Sequence, residues 1–245
     1  MGQRVKISDV PFASVIAAVM GVISISVFAG TMYEALKIFT VYIFEDLFHY
    51  RLSWLETIQD TFLIIAITMA LYVVFLLVFG VLVTGATRRH VYAGMSCIMG
   101  GQTSAIFLMV LTYICHIIWI LIISACIVPI LLYVMFIELC NQHVFNKKAE
   151  DIKFCMDLSN FGIFSNSSQK IVGGLTTTPL CSPTNLRRMC TRTEESGQLF
   201  IVAYIGAFCA SLAMAHFMTI LAANYTRMKL SKELTDYRNA VEMTS

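Results

Sequence analysis

Charged side chains disappear from four stretches of this chain. No Asp, Glu, Lys or Arg occurs in 10–33, 61–87, 90–137 or 196–226, stretches of 24, 27, 48 and 31 residues. About 20 apolar residues in a helix cross ~30 Å of hydrocarbon, so each stretch holds one span. The longest does not hold two, because its first part contains His90, Ser96, three glycines and Gln102. The pattern predicts membrane helices at 11–32, 61–83, 104–136 and 198–223. The third is long for a bilayer and would tilt or project beyond it. Between and around them lie a tail (1–10), a first loop (33–60), a short loop (84–103), a long loop (137–197) and a second tail (224–245).

Within the first loop the apolar positions keep a helical period. Leu36, Phe39, Ile43, Leu47, Tyr50, Trp54 and Ile58 recur opposite Lys37, Glu45, Asp46 and Arg51. Such a stripe suits a helix lying in the membrane interface, and equally suits two spans that project outward and pack together. Small residues form ladders inside the spans. Ala203, Ala207, Ser211 and Ala215 repeat every four positions, with Gly206 and Ala210 alongside, and Ala13, Ala17 and Gly21 do the same in the first span. Small residues let backbones approach where no hydrophobic effect drives helices together. The ladders serve either this chain's own four-helix bundle or association with a partner or second copy.

Composition agrees with the pattern. Hydrophobic residues make up 58% and charged residues 13%, with a mean hydropathy of +0.77. A soluble domain carries about a quarter charged residues, so an aqueous globular protein and a disordered chain are both excluded. Net charge is 17 − 15 = +2 with no basic stripe, which excludes a nucleic-acid partner. The fold class is an all-α membrane protein, a four-transmembrane-helix bundle.

Loop charges orient it. Two Lys/Arg precede residue 10, Arg88 and Arg89 lie in the short loop, and four follow residue 224. The 34–60 loop has two Lys/Arg against five acids. Basic loops stay inside, so both termini are expected in the cytoplasm of a plasma-membrane protein. The 138–196 segment, with seven Lys/Arg against six acids, is near the length where that rule loses force. Two other features place it outside. It holds four cysteines, Cys140, Cys155, Cys181 and Cys190, suited to an oxidising exterior. It also holds the glycosylation acceptor Asn166-Ser167-Ser168. A second sequon at Asn224 falls on the cytoplasmic side and should stay unmodified. The apolar run near the N-terminus is span-length and lacks a convincing small-residue cleavage site, unlike a signal peptide.

Chemistry-bearing residues are few. His116 and His216 lie within spans, but no span carries an acid, so interhelical hydrogen bonding outweighs a proton relay or metal site. The sequence shows no phosphate loop, HExxH, Gly-x-Ser-x-Gly or paired intramembrane aspartates. No catalytic residue, cofactor or metal is expected. Cys97, in the short cytoplasmic loop, is the palmitoylation candidate. Leu221, Tyr225 and Arg227 match a cholesterol-contact pattern.

Several motifs resemble the myelin proteolipid protein family. Thr112-Tyr113, Trp119, Leu121, Val128-Pro129 and Tyr133 look like its third span. Cys155-x-Asp157-x-x-x-Phe161-Gly162-Ile163 resembles its Cys-x-Asp-x-x-x-Tyr-Gly-Val. Cys181 and Cys190 then precede Leu199-Phe200-Ile201, Ala203 and Gly206-Ala207 in family order. Pro11-Phe12-Ala13-Ser14, Glu34-Ala35-Leu36, Thr84-Gly85-Ala86 and Gly100-Gly101-Gln102 mark the other helix ends, so the likeness covers most of residues 10–230. The myelin member's clustered N-terminal cysteines and long cytoplasmic insert are missing. The chain is therefore closer to the neuronal membrane glycoprotein branch, and an invertebrate member would fit.

The resemblance implies a non-enzymatic glycoprotein that organises membrane at cell contacts and projections, such as neurites, filopodia or glial wraps. Its partners would be the lipid bilayer, cholesterol, other membrane proteins laterally or across a contact, and further copies of itself as a homo-oligomer. A channel or transporter subunit and a cell-junction component are the alternatives. From the residues alone, four cysteines allow three pairings. The resemblance implies a nested one, Cys140 with Cys190 and Cys155 with Cys181, and the two pairs should respond alike to mutation.

Overall fold

The computed structural model describes residues 12–47, 53–83, 102–146, 152, 154–156 and 180–244. Four helices account for nearly all of them: α1 (Phe12–Lys37), α2 (Ser53–Val83), α3 (Gln102–Cys140) and α4 (Pro183–Thr244). α1 and α3 each pass into a π-helical continuation, Ile38–Glu45 and Asn141–Phe145 respectively. All four are long and apolar enough to cross a membrane. The described residues contain no strand, only an isolated antiparallel bridge in which Met156 and Leu180 exchange backbone hydrogen bonds of 3.0 and 2.9 Å.

The helices run well past the stretches that hydropathy assigns to lipid. α4, at 62 residues, begins 15 residues before 198 and continues 21 beyond 223. Hydropathy reports which side chains tolerate hydrocarbon, whereas a helix needs only satisfied backbone bonds and tolerant side chains. Its start has local causes. Pro183 occupies the first helical position, where its missing N–H costs nothing, and the Ser182 carbonyl accepts the Leu186 N–H at 2.9 Å. Pro129 sits inside α3 without ending it.

Two compact units divide the chain. One comprises Met1–Val27, Ala66–Ile123 and Ile205–Ser245, and the other Phe28–Ile65 and Ser124–Tyr204. In the first, each helix buries a stripe at three- and four-residue spacing. α1 contributes Ser14, Ala17, Ala18, Gly21 and Ile25; α2 Ala66, Met69, Val73, Leu76 and Phe79; α3 Ala105, Leu108, Thr112, Cys115 and Trp119. α4 contributes Ala207, Ala210, Ala213, Met214, Phe217 and Leu221. The opposite faces remain apolar, as at Ile16, Leu71, Leu121 and Phe208, which is what lipid as solvent requires. Glycines set the closest approaches. A Cβ at Gly21 would stand 3.3 Å from both Val73 methyls and 3.5 Å from the Ala213 Cβ, and one at Gly80 2.9 Å from the Ser14 Oγ.

In the second unit the same periodicity continues with a different burden. Phe28, Met32, Ala35, Leu36 and Ile38 are buried along α1 and its π-helical continuation, and Phe28 meets Phe62 edge to face with centroids 5.9 Å apart. Of the first-loop stripe, Leu36 lies on α1, Phe39 and Ile43 on its π-helical continuation and Leu47 just after it, while Tyr50 lies outside the described residues. An apolar face packs on whichever apolar surface is nearest, and here the segment joining α3 to α4 supplies that surface.

Candidate functional site

That joining segment is the most elaborate part of the second unit. Cys140 ends α3 and Cys190 is the eighth residue of α4; the two are bonded, with Cα atoms 5.7 Å apart. Cys155 and Cys181 form the second bond, directly beside the Met156–Leu180 bridge. The arrangement is the nested pairing that the family resemblance implies. The bonds differ in setting: Cys140 and Cys190 are buried, whereas Cys155 and Cys181 are exposed.

The buried bond lies in one hydrophobic cluster. Ile43 and Leu47 come from the segment after α1, Phe136 and Val144 from either side of Cys140, and Leu186 and Met189 from the first turns of α4. Ile152, Met156 and Leu180 complete it, with Phe39, Phe145 and Phe154 packed against it. Aromatic contacts fix its edges. His143 stacks on Phe154 with ring centroids 4.8 Å apart, and Phe39 meets Phe200 at 6.4 Å. The Arg192 guanidinium lies 4.8 Å from the Tyr42 ring centroid while its Nη1 donates to Glu195 Oε2 at 2.6 Å. Both partners of that ion pair are partly exposed, so it orients Arg192 more than it stabilises the fold. The tightest approach is at Gly197, where a Cβ would overlap the Tyr133 ring.

The first unit carries polar pairs of another kind. The Tyr72 hydroxyl and Thr112 Oγ1 share a hydrogen bond of 2.8 Å between α2 and α3, and Thr112 also donates to the Leu108 carbonyl at 2.7 Å. His116 Nδ1 is 3.2 Å from Ser211 Oγ, joining α3 to α4. His116 therefore has the interhelical partner expected of it, while His216 is exposed. Among the described residues, no group of three or more His, Cys, Asp or Glu could hold a metal ion.

The small-residue ladder of α4 faces this chain's own interior. Ala203, Gly206, Ala207, Ala210 and Ser211 are buried, and Ala215 is half-buried. In α1, Ala17 and Gly21 are buried but Ala13 is exposed; Ser14 takes its place on the packed stripe. Leu221 is buried, whereas Arg227 is exposed. Asn166 and Cys97 lie outside the described residues. Sequence reasoning did not single out Gly197, Tyr72 or Arg192, because a glycine under a distant ring, or a hydroxyl or cation meeting one partner, has no local signature.

Comparison with known proteins finds relatives over most of the chain. The chain is 27% identical to Neuronal membrane glycoprotein M6-a of Mus musculus, an alignment covering 95% of this chain and 84% of that protein. It is 29% identical to Proteolipid protein DM beta of Squalus acanthias, again over 95% and 84%. It is 25% identical to Proteolipid protein DM alpha of the same species, over 91% of each. No solved structure matches. The family described as Myelin proteolipid protein (PLP or lipophilin) matches residues 4–233. With four apolar helices and two disulfides between the third and fourth, this multi-pass membrane protein belongs to the myelin proteolipid protein family.

Proposed function

We propose that the chain is a non-enzymatic plasma-membrane glycoprotein that organises membrane at cell contacts and projections. Both termini would face the cytoplasm and the disulfide-bonded segment would face outward. The observation that carries this reading is the cluster around Cys140–Cys190, a braced apolar core built from helix ends rather than a site for turnover. Such a core holds an exposed surface in fixed shape, which is what contact with a facing membrane or protein needs. Relatives named neuronal membrane glycoprotein support the same reading. The His116–Ser211 bond gives this half-buried histidine an interhelical partner, as a packing role requires.

Expression in a cultured neuronal or glial line is the direct test. Surface-exposed protein should raise the number of projections or the extent of contact per cell relative to vector alone. An unchanged count at verified surface levels, or residence confined to an internal organelle, would overturn the proposal. Turnover of a defined substrate by purified protein would do the same.

Topology has its own measurement. If residues 138–196 are translocated, Asn166 should carry an N-linked glycan, and endoglycosidase treatment or Asn166→Gln should increase gel mobility. Asn224→Gln should leave mobility unchanged. A shift with Asn224→Gln and none with Asn166→Gln would reverse the orientation.

A further inference from the structure

Beyond Arg227 the exposed side chains of α4 change character. The apolar span ends there, and seven of the 18 residues from Arg227 to Thr244 are charged, so this part of the helix lies in water rather than hydrocarbon. Yet Leu230, Leu234 and Tyr237 are 56%, 61% and 72% exposed, and Val241 follows at 48%. Their spacing is four, three and four residues, the alternation that places side chains along one seam of a heptad helix. On the lipid-facing helices an exposed leucine is in its proper solvent. Here, an apolar line between charges marks a contact surface.

We propose that Leu230, Leu234, Tyr237 and Val241 form the seam of a parallel two-stranded coiled coil with α4 of a second copy. This goes beyond the functional reading above and does not depend on the cell-contact role. Four observations select a second copy as the occupant. Copies in one bilayer are held parallel and at equal depth, so each seam residue meets its own counterpart without a search of register. α4 runs unbroken from Pro183 to Thr244, so its end continues the span's course instead of lying along the membrane surface. In the sequence, Arg238 follows Glu233 by five positions, the spacing at which opposite charges flank the seam of a parallel pair. Finally, the small-residue ladder from Ala203 to Ser211 is already buried within the chain, which leaves the tail as the face open to a neighbour. Two heptads are too short to pair as free peptides. Here the span has already nucleated the helix, and confinement to a membrane raises the effective concentration of the second strand.

The test uses the full chain in cell membranes. Leu230→Cys, Leu234→Cys, Tyr237→Cys and Val241→Cys are compared with Lys229→Cys, Glu242→Cys and Met243→Cys off the seam, using a short thiol cross-linker and the parent chain as baseline. Dimer above baseline at the four seam positions and not at the other three is the expected result. Adding Leu234→Asp to Leu230→Cys should abolish it. Glu233→Arg should lower the yield about threefold while Glu233→Asp preserves it, the size expected of the two symmetric exposed charge pairs of such a dimer. Preserved Cys140–Cys190 pairing verifies that each variant is folded. Uniform cross-linking at all seven positions, or dimer that survives Leu234→Asp, would overturn the proposal. So would a folded set that cross-links only to some other protein.

Discussion

Cys140→Ser and Cys190→Ser, made singly, should each give a chain that is retained inside the cell and cross-linked to its neighbours through disulfides. The bond closes a loop of 50 residues. Constraint of the unfolded chain by a loop that size contributes roughly 4 kcal/mol, a large share of the ~5–15 kcal/mol that holds a typical domain together. The damage does not stop at the lost bond. Both sulfurs sit among Phe136, Val144, Leu186 and Met189, and a serine there buries a hydroxyl in an apolar cluster. The surviving cysteine, released as that cluster loosens, becomes a free thiol. The double variant loses the bond but carries no such thiol, so it should cross-link less than either single. The Cys155–Cys181 pair shows what burial adds. Its 26-residue loop gives a similar entropic figure, about 3.5 kcal/mol. Because both residues are exposed and neither belongs to the cluster, its removal should disturb the cluster less, and the two pairs should not behave alike. Non-reducing gels, with surface biotinylation beside them, read all of these variants. Wild-type mobility and surface level for Cys140→Ser would show that the bond is dispensable.

Gly197→Ala is the second substitution expected to do serious harm. The added methyl would overlap the Tyr133 ring near its base, where the ring has no freedom to swing away without leaving its rotamer. Forcing side chains or helices apart at such a site costs roughly 1–3 kcal/mol, and a larger residue costs more. Tyr133 is only half-buried, so a chain with Tyr133→Ala alone should be mildly affected. The combination Gly197→Ala with Tyr133→Ala should then recover much of the loss, giving a clear non-additive cycle. Protease resistance of the detergent-solubilised protein measures this. Equal destabilisation by Gly197→Ala with and without Tyr133 would place the cause in the α4 backbone instead. Gly30 is the internal control, because nothing stands within 4 Å of a Cβ built there and Gly30→Ala should be benign.

These two sites mark the boundary of what the residue pattern discloses. Loss of charge located all four apolar helices, since hydrocarbon excludes ions wherever they fall in the chain. It said nothing of helix that continues in water, so the ends of α4 went unnoticed although Pro183 and Ser182 carry the signal for its start. Spacing identified small-residue ladders but not their partners. Alanine is equally compatible with a neighbouring helix of its own chain or another's, and burial resolves this in favour of the former. The stripe from Leu36 to Leu47 was readable as helical, but the place of Ile43 and Leu47 in one cluster with Cys140 and Met189 depends on chain folded back from far along the sequence. Cysteine pairing was undetermined by the residues themselves and entered through family likeness. The Gly197–Tyr133 contact joins positions 64 apart with no periodicity to announce it.

Nested bonds also impose an order on how the protein is made. Synthesis delivers Cys140 first, Cys155 next, then Cys181 and Cys190 last. The first sulfur that can reach Cys140 is therefore Cys155, a partner it does not keep. Its lasting partner is the last of the four to be synthesised, on the helix that completes the bundle. An early Cys140–Cys155 bond must be exchanged later, through attack by a thiolate on one of its sulfurs. Wherever that early bond forms, maturation needs disulfide isomerisation as well as insertion. Cells poor in isomerase should accumulate the protein as chains with intact spans and mismatched sulfurs.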